Sequence, residues 1–207
     1  MRIRYLAAVV TLAAGGLVVP LVASGLTGAA SASSVEDSAR HCVAYPDATP
    51  QQCFDTYREA IAVASRGKIT DAPVNAKAAM TDKRFLKEMQ TFTTQPSTAA
   101  SSAAGASTLA DSSSYVIGAT IFGGTSYTGN SLTLYVPKPC AKDGWYDGYF
   151  GDLGFMNNDV ESVQPWAGCW VWLHDSTDWN GNRMGPYKDQ TPDLGDWKNR
   201  AVMVGLS

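Results

Sequence analysis

Oxygen-rich side chains stand close together in the stretch NNDVES, residues 157–162. The donors are the amides and carboxylates of Asn157, Asn158, Asp159 and Glu161. Ca²⁺ prefers several hard oxygen ligands of this kind, and a stretch of one turn can supply them. The spacing therefore predicts one calcium site. The alternative is a plain turn, in which these side chains bond only to their own backbone.

Signatures of catalysis are missing from the sequence. It contains no H-E-x-x-H, no G-x-S-x-G and no glycine-rich phosphate loop. A serine–histidine–aspartate arrangement would need His41 or His174, the only two histidines. Aspartates are abundant beyond residue 115, but no spacing singles out a pair that could flank a glycosidic bond. We therefore predict that the protein is not an enzyme.

Residues 1–32 predict a secretory signal peptide. Arg2 and Arg4 precede a long apolar run, and Ala30-Ser31-Ala32 forms an A-x-A cleavage site. A membrane anchor is the alternative, because the run approaches spanning length, but two glycines and Pro20 interrupt it. We expect a secreted, extracellular protein without a membrane partner after signal cleavage.

Cysteine and charge content fit that location. Four cysteines are an even number, which favours two disulfides in an exported chain. Three pairings are possible, and the separation along the chain favours Cys42–Cys53 and Cys140–Cys169. Removal of the signal peptide takes the net charge from −3 to −5, since residues 1–32 contain two arginines and no acid. An acidic chain without a basic patch is a poor nucleic-acid binder, and we expect a monomer.

Composition divides the mature chain into three zones. Residues 33–90 predict a small helical, disulfide-containing segment, in which Gly67 ends one helix and Asp82 caps the next. Residues 91–114 are dominated by Ser, Thr, Ala and Gly, which predicts a flexible linker. Residues 115–207 hold all six tryptophans and many short apolar runs between turn residues, which predicts one all-β domain.

The helical segment has too few apolar residues for a substantial core of its own. We interpret it either as an appended unit or as a pro-region that shields the β domain until the linker is cut.

An internal repeat runs through the β domain. The segment YTGN at 127–130 recurs as WNGN at 179–182, an offset of 52 residues, and DLGFMNNDVESV aligns with DLGDWKNRAVMV at an offset of 41. The extra stretch KPCAKDGWYDGYF in the first copy accounts for the difference. Each unit is too small to bury a core alone, so we expect the two to pack face to face.

These repeated segments carry a family resemblance. FGGTSYTG resembles the ring-x4-ring-x-Gly hairpin of βγ-crystallin Greek-key motifs, with Phe122, Tyr127 and Gly129 at the signature positions. HDSTDWNG resembles a second copy, with Trp179 and Gly181 in place and His174 at the first ring position. The resemblance covers about 93 of the 207 residues and implies two Greek-key motifs that form a sandwich of two sheets.

The resemblance also implies roles for single residues. Ser162 takes the place of the serine that ties down the folded hairpin, whereas Met203 stands there in the second unit. NNDVES is similar to the family's calcium-binding pattern, except that Glu161 replaces a Ser/Thr ligand. In the second unit Lys198 and Arg200 bring positive charge, so no second calcium site is expected.

Three functions follow from these patterns. The first is a secreted, non-enzymatic βγ-crystallin-like protein that binds one calcium ion. The second is an inhibitor of an extracellular metallopeptidase, since some exported inhibitors share this fold; it would use the loop around Cys140. The third is a carbohydrate-binding module that stacks polysaccharide on Trp166, Trp170 and Trp172. Alternation places Trp170 and Trp172 on one face of their strand, without showing whether that face is exposed.

Overall fold

The computed structural model describes residues 38–46, 50–94 and 115–207. The predicted signal peptide, residues 1–32, and residues 95–114 of the predicted linker lie outside the described residues.

Nine strands and three helices form the described part of the chain. The strands are β1 (His41–Ala44), β2 (Gln52–Phe54), β3 (Val116–Phe122), β4 (Ser131–Val136), β5 (Gly148–Phe150), β6 (Ser162–Pro165), β7 (Val171–His174), β8 (Arg183–Tyr187) and β9 (Met203–Leu206). The helices are α1 (Tyr57–Ala64), α2 (Ala76–Thr81) and α3 (Lys83–Thr94).

The strands form two sheets. Sheet A has the order β2-β1-β4-β3-β6, and sheet B has the order β5-β9-β7-β8. Strands β3 to β6 belong to the first repeat unit, yet β5 pairs in sheet B with β9 of the second unit. In return, Thr191 of the second unit makes an antiparallel bridge to Val163 in sheet A. The two units therefore exchange one segment each, which confirms the predicted pair of Greek-key motifs.

A core of apolar side chains lies between the two sheets. Alternation along β3 and β4 points one set of side chains inward, Ile121, Leu132 and Leu134 among them, and all are fully buried. Sheet B contributes Val171, Leu173 and their neighbours to the same cluster. Neither unit covers its own apolar face, so the two must fold together.

Local signals determine where the helices begin and end. Thr56 caps α1 in a capping box with Glu59, and both reciprocal hydrogen bonds are present. Past the end of α1, Gly67 has a φ of 73° and its N–H donates to Ala62 O at 2.7 Å. Asp82 accepts from the N–H groups of Arg84 and Phe85 at the start of α3. The predicted roles of Gly67 and Asp82 are confirmed.

The helices form a third layer against the outer face of sheet A. Tyr57, Ile61 and Phe85 of the helices share a buried cluster with Phe122 and Tyr135, which point away from the other sheet. Both faces of β3 and β4 are consequently buried along their whole length. The helical segment thus has a core because the β domain supplies half of it.

Two strands precede the helices and were not predicted. β1 pairs in parallel with β4 and antiparallel with β2, so it lies inside sheet A. The disulfide Cys42–Cys53 joins β1 to β2, and Cys140–Cys169 closes the second bridge, as predicted. Helix α3 continues to Thr94, four residues into the predicted linker.

Candidate functional site

The folded hairpin of the first unit has the expected geometry. Phe122 and Tyr127 contact each other edge to face, with ring centroids 5.4 Å apart. Gly129 has a φ of 71°, a backbone conformation that glycine adopts without strain. The Tyr127 N–H donates to Ser162 Oγ at 3.1 Å, and the Ser162 hydroxyl donates to Gly124 O at 2.7 Å. Ser162 therefore ties the hairpin to β6, as the resemblance implied.

The second hairpin reaches a similar shape with different groups. His174 and Trp179 pack edge to face at 5.1 Å, which confirms a packing role for the histidine. Gly181 does not have a positive φ; a side chain there would instead collide with Asp175 and Ser176. The Asp175 carboxylate accepts from the backbone and side-chain nitrogens of Asn182 at 2.6 and 2.9 Å. Asp175 thereby joins the two ends of its own hairpin, and Arg200 Nη2 donates to its Oδ2 at 3.0 Å from the segment before β9.

Of the predicted calcium ligands, Asn157 and Asn158 serve the turn. The amide oxygen of Asn157 accepts from Leu153 N at 3.0 Å, and its nitrogen donates to Asp152 Oδ1 at 2.7 Å. Asn158 has a φ of 55°, and its N–H donates to Ala201 O at 2.8 Å.

The two acidic residues of the set face the first hairpin. Asp159 Oδ2 accepts from Asn130 Nδ2 at 3.2 Å, and Glu161 Oε2 accepts from Thr125 N at 3.2 Å. The other Glu161 oxygen accepts from Asn199 at 2.9 Å. Across residues 38–46, 50–94 and 115–207, no three histidine, cysteine, aspartate or glutamate side chains come together as a metal site would require. Asp159 and Glu161, like Asn157, therefore already accept hydrogen bonds from neighbouring groups of the protein.

A second candidate is the stretch 137–147, which we call the pinned loop. The disulfide Cys140–Cys169 fixes it, and the Cys140 N–H donates to Ala167 O at 3.2 Å. Asp147 closes the loop: its side chain accepts from Ala141 N at 2.9 Å, and its N–H donates to Leu206 O at 2.7 Å. The loop is thus held at both ends, and between them Trp145 is 80% exposed.

An aromatic cluster lies on the outer face of sheet B and shares Tyr146 with the pinned loop. It consists of Tyr146, Tyr149, His174 and Trp179. Trp179 stacks on Tyr146 at 5.7 Å and meets Tyr149 at the same distance, while the Tyr146 hydroxyl and His174 Nε2 lie 2.9 Å apart. Tyr149 and Trp179 remain 53% and 50% exposed. A contiguous patch of exposed aromatic side chains is a common feature of interaction sites, whereas single exposed apolar residues are ordinary.

Comparison with known proteins gives structural likeness only. No family model matches the chain, and no curated protein does. The βγ-crystallin domain from Clostridium beijerinckii is 19% identical, covering 43% of this chain and 95% of that chain with a TM-score of 0.34. For the βγ-crystallin domain from Flavobacterium johnsoniae the identity is 17%, the coverages 43% and 92%, and the TM-score 0.31. The N-terminal domain of Protein S is 17% identical over 44% of this chain and 94% of that chain, with a TM-score of 0.35.

The fold assignment rests on the chain's own geometry. Segments exchanged between the sheets, a ring pair in each hairpin and the Ser162 tie occur together in residues 115–207. The β domain is βγ-crystallin-like. Two disulfides are typical of proteins that mature in an oxidising compartment. Within the described ranges, no helix is long and apolar enough to cross a bilayer.

The tryptophans proposed for sugar stacking are separated in this βγ-crystallin-like domain. Trp166 is buried under the helices and its Nε1 donates to Thr120 Oγ1 at 3.2 Å. Trp170, directly before β7, and Trp172, within it, are partly exposed, but cations lie over both rings. Arg183 is 4.3 Å from the Trp172 centroid and Lys188 is 4.0 Å from that of Trp170. Both rings are thus partly buried, and a cation already covers each of them.

Three carboxyl groups of the domain are poor candidates for acid catalysis. Hydrogen bonds lower the pKa of Asp152, Asp175 and Asp178, chiefly from Gly154 N, the Asn182 amide and the Ser176 hydroxyl respectively. A general acid needs the opposite shift, because it must hold its proton near neutral pH.

Sequence reasoning missed most of the exposed cluster. Tyr146 and Tyr149 lie on the extra stretch of the first unit. The presence of this stretch in one repeat copy only could have indicated a functional role. Gly205 was another: a Cβ there would lie 2.6 Å from the Tyr146 ring, so the glycine makes room for it.

Proposed function

We propose that this protein is a secreted, non-enzymatic βγ-crystallin-like inhibitor of an extracellular peptidase. The observation that supports the proposal is the pinned loop with its protruding Trp145. A loop held in one conformation loses little conformational entropy when it docks, and this increases affinity without additional contacts. A large exposed aromatic side chain is the type of residue that dominates interface energies.

An inhibition assay tests this function. We expect the mature protein, at micromolar concentration, to reduce the activity of a thermolysin-like metallopeptidase, with a subtilisin-like serine peptidase measured in parallel. Trp145→Ala should weaken inhibition at least tenfold, as the loss of an interface anchor does. Val74→Ala, an exposed apolar residue that precedes α2, is the control and should inhibit normally. If neither peptidase is inhibited, the proposal is wrong.

A double variant tests whether the disulfide matters for this role. Cys140→Ala with Cys169→Ala keeps Trp145 but releases the loop. We expect a larger inhibition constant and an unchanged far-ultraviolet circular dichroism spectrum, because the remaining disulfide and both sheets stay in place. Equal inhibition by the double variant would show that the loop does not act through its rigidity.

Calcium binding is a second candidate, supported by the two carboxylates that meet the first hairpin. Asp159 and Glu161 would supply charged oxygens beside the backbone of residues 123–125. Calorimetric titration of the mature protein should show one site, and Asp159→Asn should weaken it. Asp193→Asn, in the second unit, is the matched control. Absence of both calcium heat and a calcium-dependent rise in melting temperature would refute the site.

A further inference from the structure

A small cleft opens where α3, the pinned loop and sheet B meet. Its volume is about 200 Å³. Its lining includes Gln90 of α3, Lys142 of the pinned loop, Pro165, Trp170 and Lys188. The cleft is distinct from the aromatic cluster and from the predicted calcium ligands, and it combines residues of all three layers.

Two lysines converge on this cleft. Lys188 Nζ lies 4.0 Å from the centroid of Trp170, and Lys142 Nζ lies 5.9 Å from the same centroid. Cation–π attraction holds each ammonium group near the ring. Gly168 also lines the cleft, beside the Lys142 side chain.

Neither lysine has a carboxylate partner among the described residues. The ion pairs of these residues involve Arg84, Lys198 and Arg200 instead. Asp143, next to Lys142 in sequence, accepts from Trp145 N and serves the loop backbone. Both lysines line the same cleft, where each ammonium group would attract an anion. The site is therefore electrostatically suited to one negative charge.

The remaining walls suit a sugar ring. Pro165 and the edge of Trp170 offer apolar surface to ring C–H groups, and the Gln90 amide can both donate to and accept from hydroxyls. The volume accommodates one such ring and is below the usual range for larger ligands. We propose that this cleft binds a hexuronate, with its carboxylate between Lys142 and Lys188. The proposal is independent of peptidase inhibition.

Titration with small sugars tests this site directly. Chemical shifts of the ¹⁵N-labelled mature protein are followed during addition of glucuronate, glucose or sodium sulfate at constant ionic strength. We expect saturable shifts at Trp170 with glucuronate in the millimolar range and none with glucose. Binding should weaken several-fold as ionic strength rises from about 0.05 to about 0.5 M, because both lysines are exposed to screening.

Lysine variants identify the residues. Lys142→Ala with Lys188→Ala should lower glucuronate affinity at least tenfold, whereas Lys142→Arg with Lys188→Arg should retain most of it. Lys138→Ala removes the same charge from the pinned loop outside the cleft and serves as the control. The proposal is overturned if the double alanine variant binds normally, if glucose binds as well as glucuronate, or if sulfate shifts the same resonances with equal affinity.

Discussion

The outer faces of the two sheets differ in what covers them. On sheet A, three helices bury Phe122, Tyr135 and their neighbours. On sheet B, the register places Tyr149, Gly205 and Trp172 side by side on the outer face, and only a loop and a hairpin pack over them. On this side Tyr149 and Trp179 keep about half of their surface exposed, and Arg183 lies over the Trp172 ring.

This difference places residues that stabilise the fold on the outer face of sheet A and the candidate binding surfaces on that of sheet B. Sheet A has become the middle layer of three, so changes on its outer face act on the whole fold. Sheet B carries the pinned loop, the aromatic cluster and the two-lysine cleft, and all three surfaces are open to other molecules. The repeat produces two similar sheets, and they differ because the helices of the N-terminal segment cover the outer face of sheet A only.

The largest expected effect is on the covered side. Phe122→Ala should lower the free energy of unfolding by about 3–5 kcal/mol, because the ring is fully buried between the helices and β3. Tyr149→Ala, on sheet B, should lower it by less than about 1 kcal/mol, since half of that ring is already in water. Urea denaturation of both variants measures the contrast. Equal losses would mean that the aromatic cluster is a structural core.

The two histidines should respond differently to acid. His41 lies under the helices with Nδ1 2.8 Å from Ser131 Oγ, and burial lowers its pKa to about 4. Protonation of this histidine is easier in the unfolded chain. The contribution of neutral His41 to the free energy of unfolding is therefore fully present above pH 6.5 and is lost as the pH falls to about 4. The fall should reach up to about 3 kcal/mol. Partial burial lowers the pKa of His174 as well, to a smaller extent.

Urea denaturation across this pH window compares the wild type with His41→Gln and His174→Gln. Most of the pH dependence should disappear in His41→Gln only. Titration of the imidazole resonances of the unmodified protein is a check that requires no variant. A His41 that ionises near pH 6.5 would contradict the burial argument.

The two hairpin ties should differ in strength and in pH dependence. Ser162→Ala should cost about 1–3 kcal/mol, because it leaves buried backbone groups without a partner. Asp175→Asn should cost less, since Asp175 is closer to solvent. The Asn182 amide lowers the pKa of Asp175, so that contribution is present above about pH 4 and is lost as the folded carboxylate becomes protonated. Thermal unfolding at pH 7 and pH 2 distinguishes the two ties.

The smallest change is expected from cutting the linker. A specific protease site introduced within residues 95–114 would produce two chains after cleavage. They should still co-elute in size-exclusion chromatography, because β1 pairs with both β2 and β4 and the helices share a core with sheet A. Release of the N-terminal chain would instead support a pro-region that dissociates.

Sequence patterns predicted the features in which a single residue has one structural role within a short motif. The ring-x-Gly spacing located both hairpins, the family resemblance located Ser162, and the separation of the cysteines indicated both disulfides. These features depend on contacts whose geometry is set within a short motif or by the repeat itself. Gly67 and Asp82 belong to the same class, since helix ends leave backbone groups that need a nearby partner.

Features that depend on distant packing could not be read in this way. The strand HCVA is only four residues long, and such a short apolar run does not distinguish strand from helix. The outer face of β4 carries Ser131, Thr133 and Tyr135, a pattern equally compatible with solvent. The cleft lysines are far apart in sequence, at 142 and 188, and only the fold brings them to one ring.

The addition of β1 to sheet A also prevents edge-to-edge association between copies of the protein. The six-residue strand β4 would otherwise present a row of free backbone groups, which is a template for edge-to-edge polymerisation. β1 covers that row, and the new edge is β2, only three residues long. In sheet B one edge is β5, also three residues long, and the other is β8, in which Pro186 has no N–H to donate. The appended N-terminal segment thus covers the strand edge through which copies of the β domain could otherwise pair.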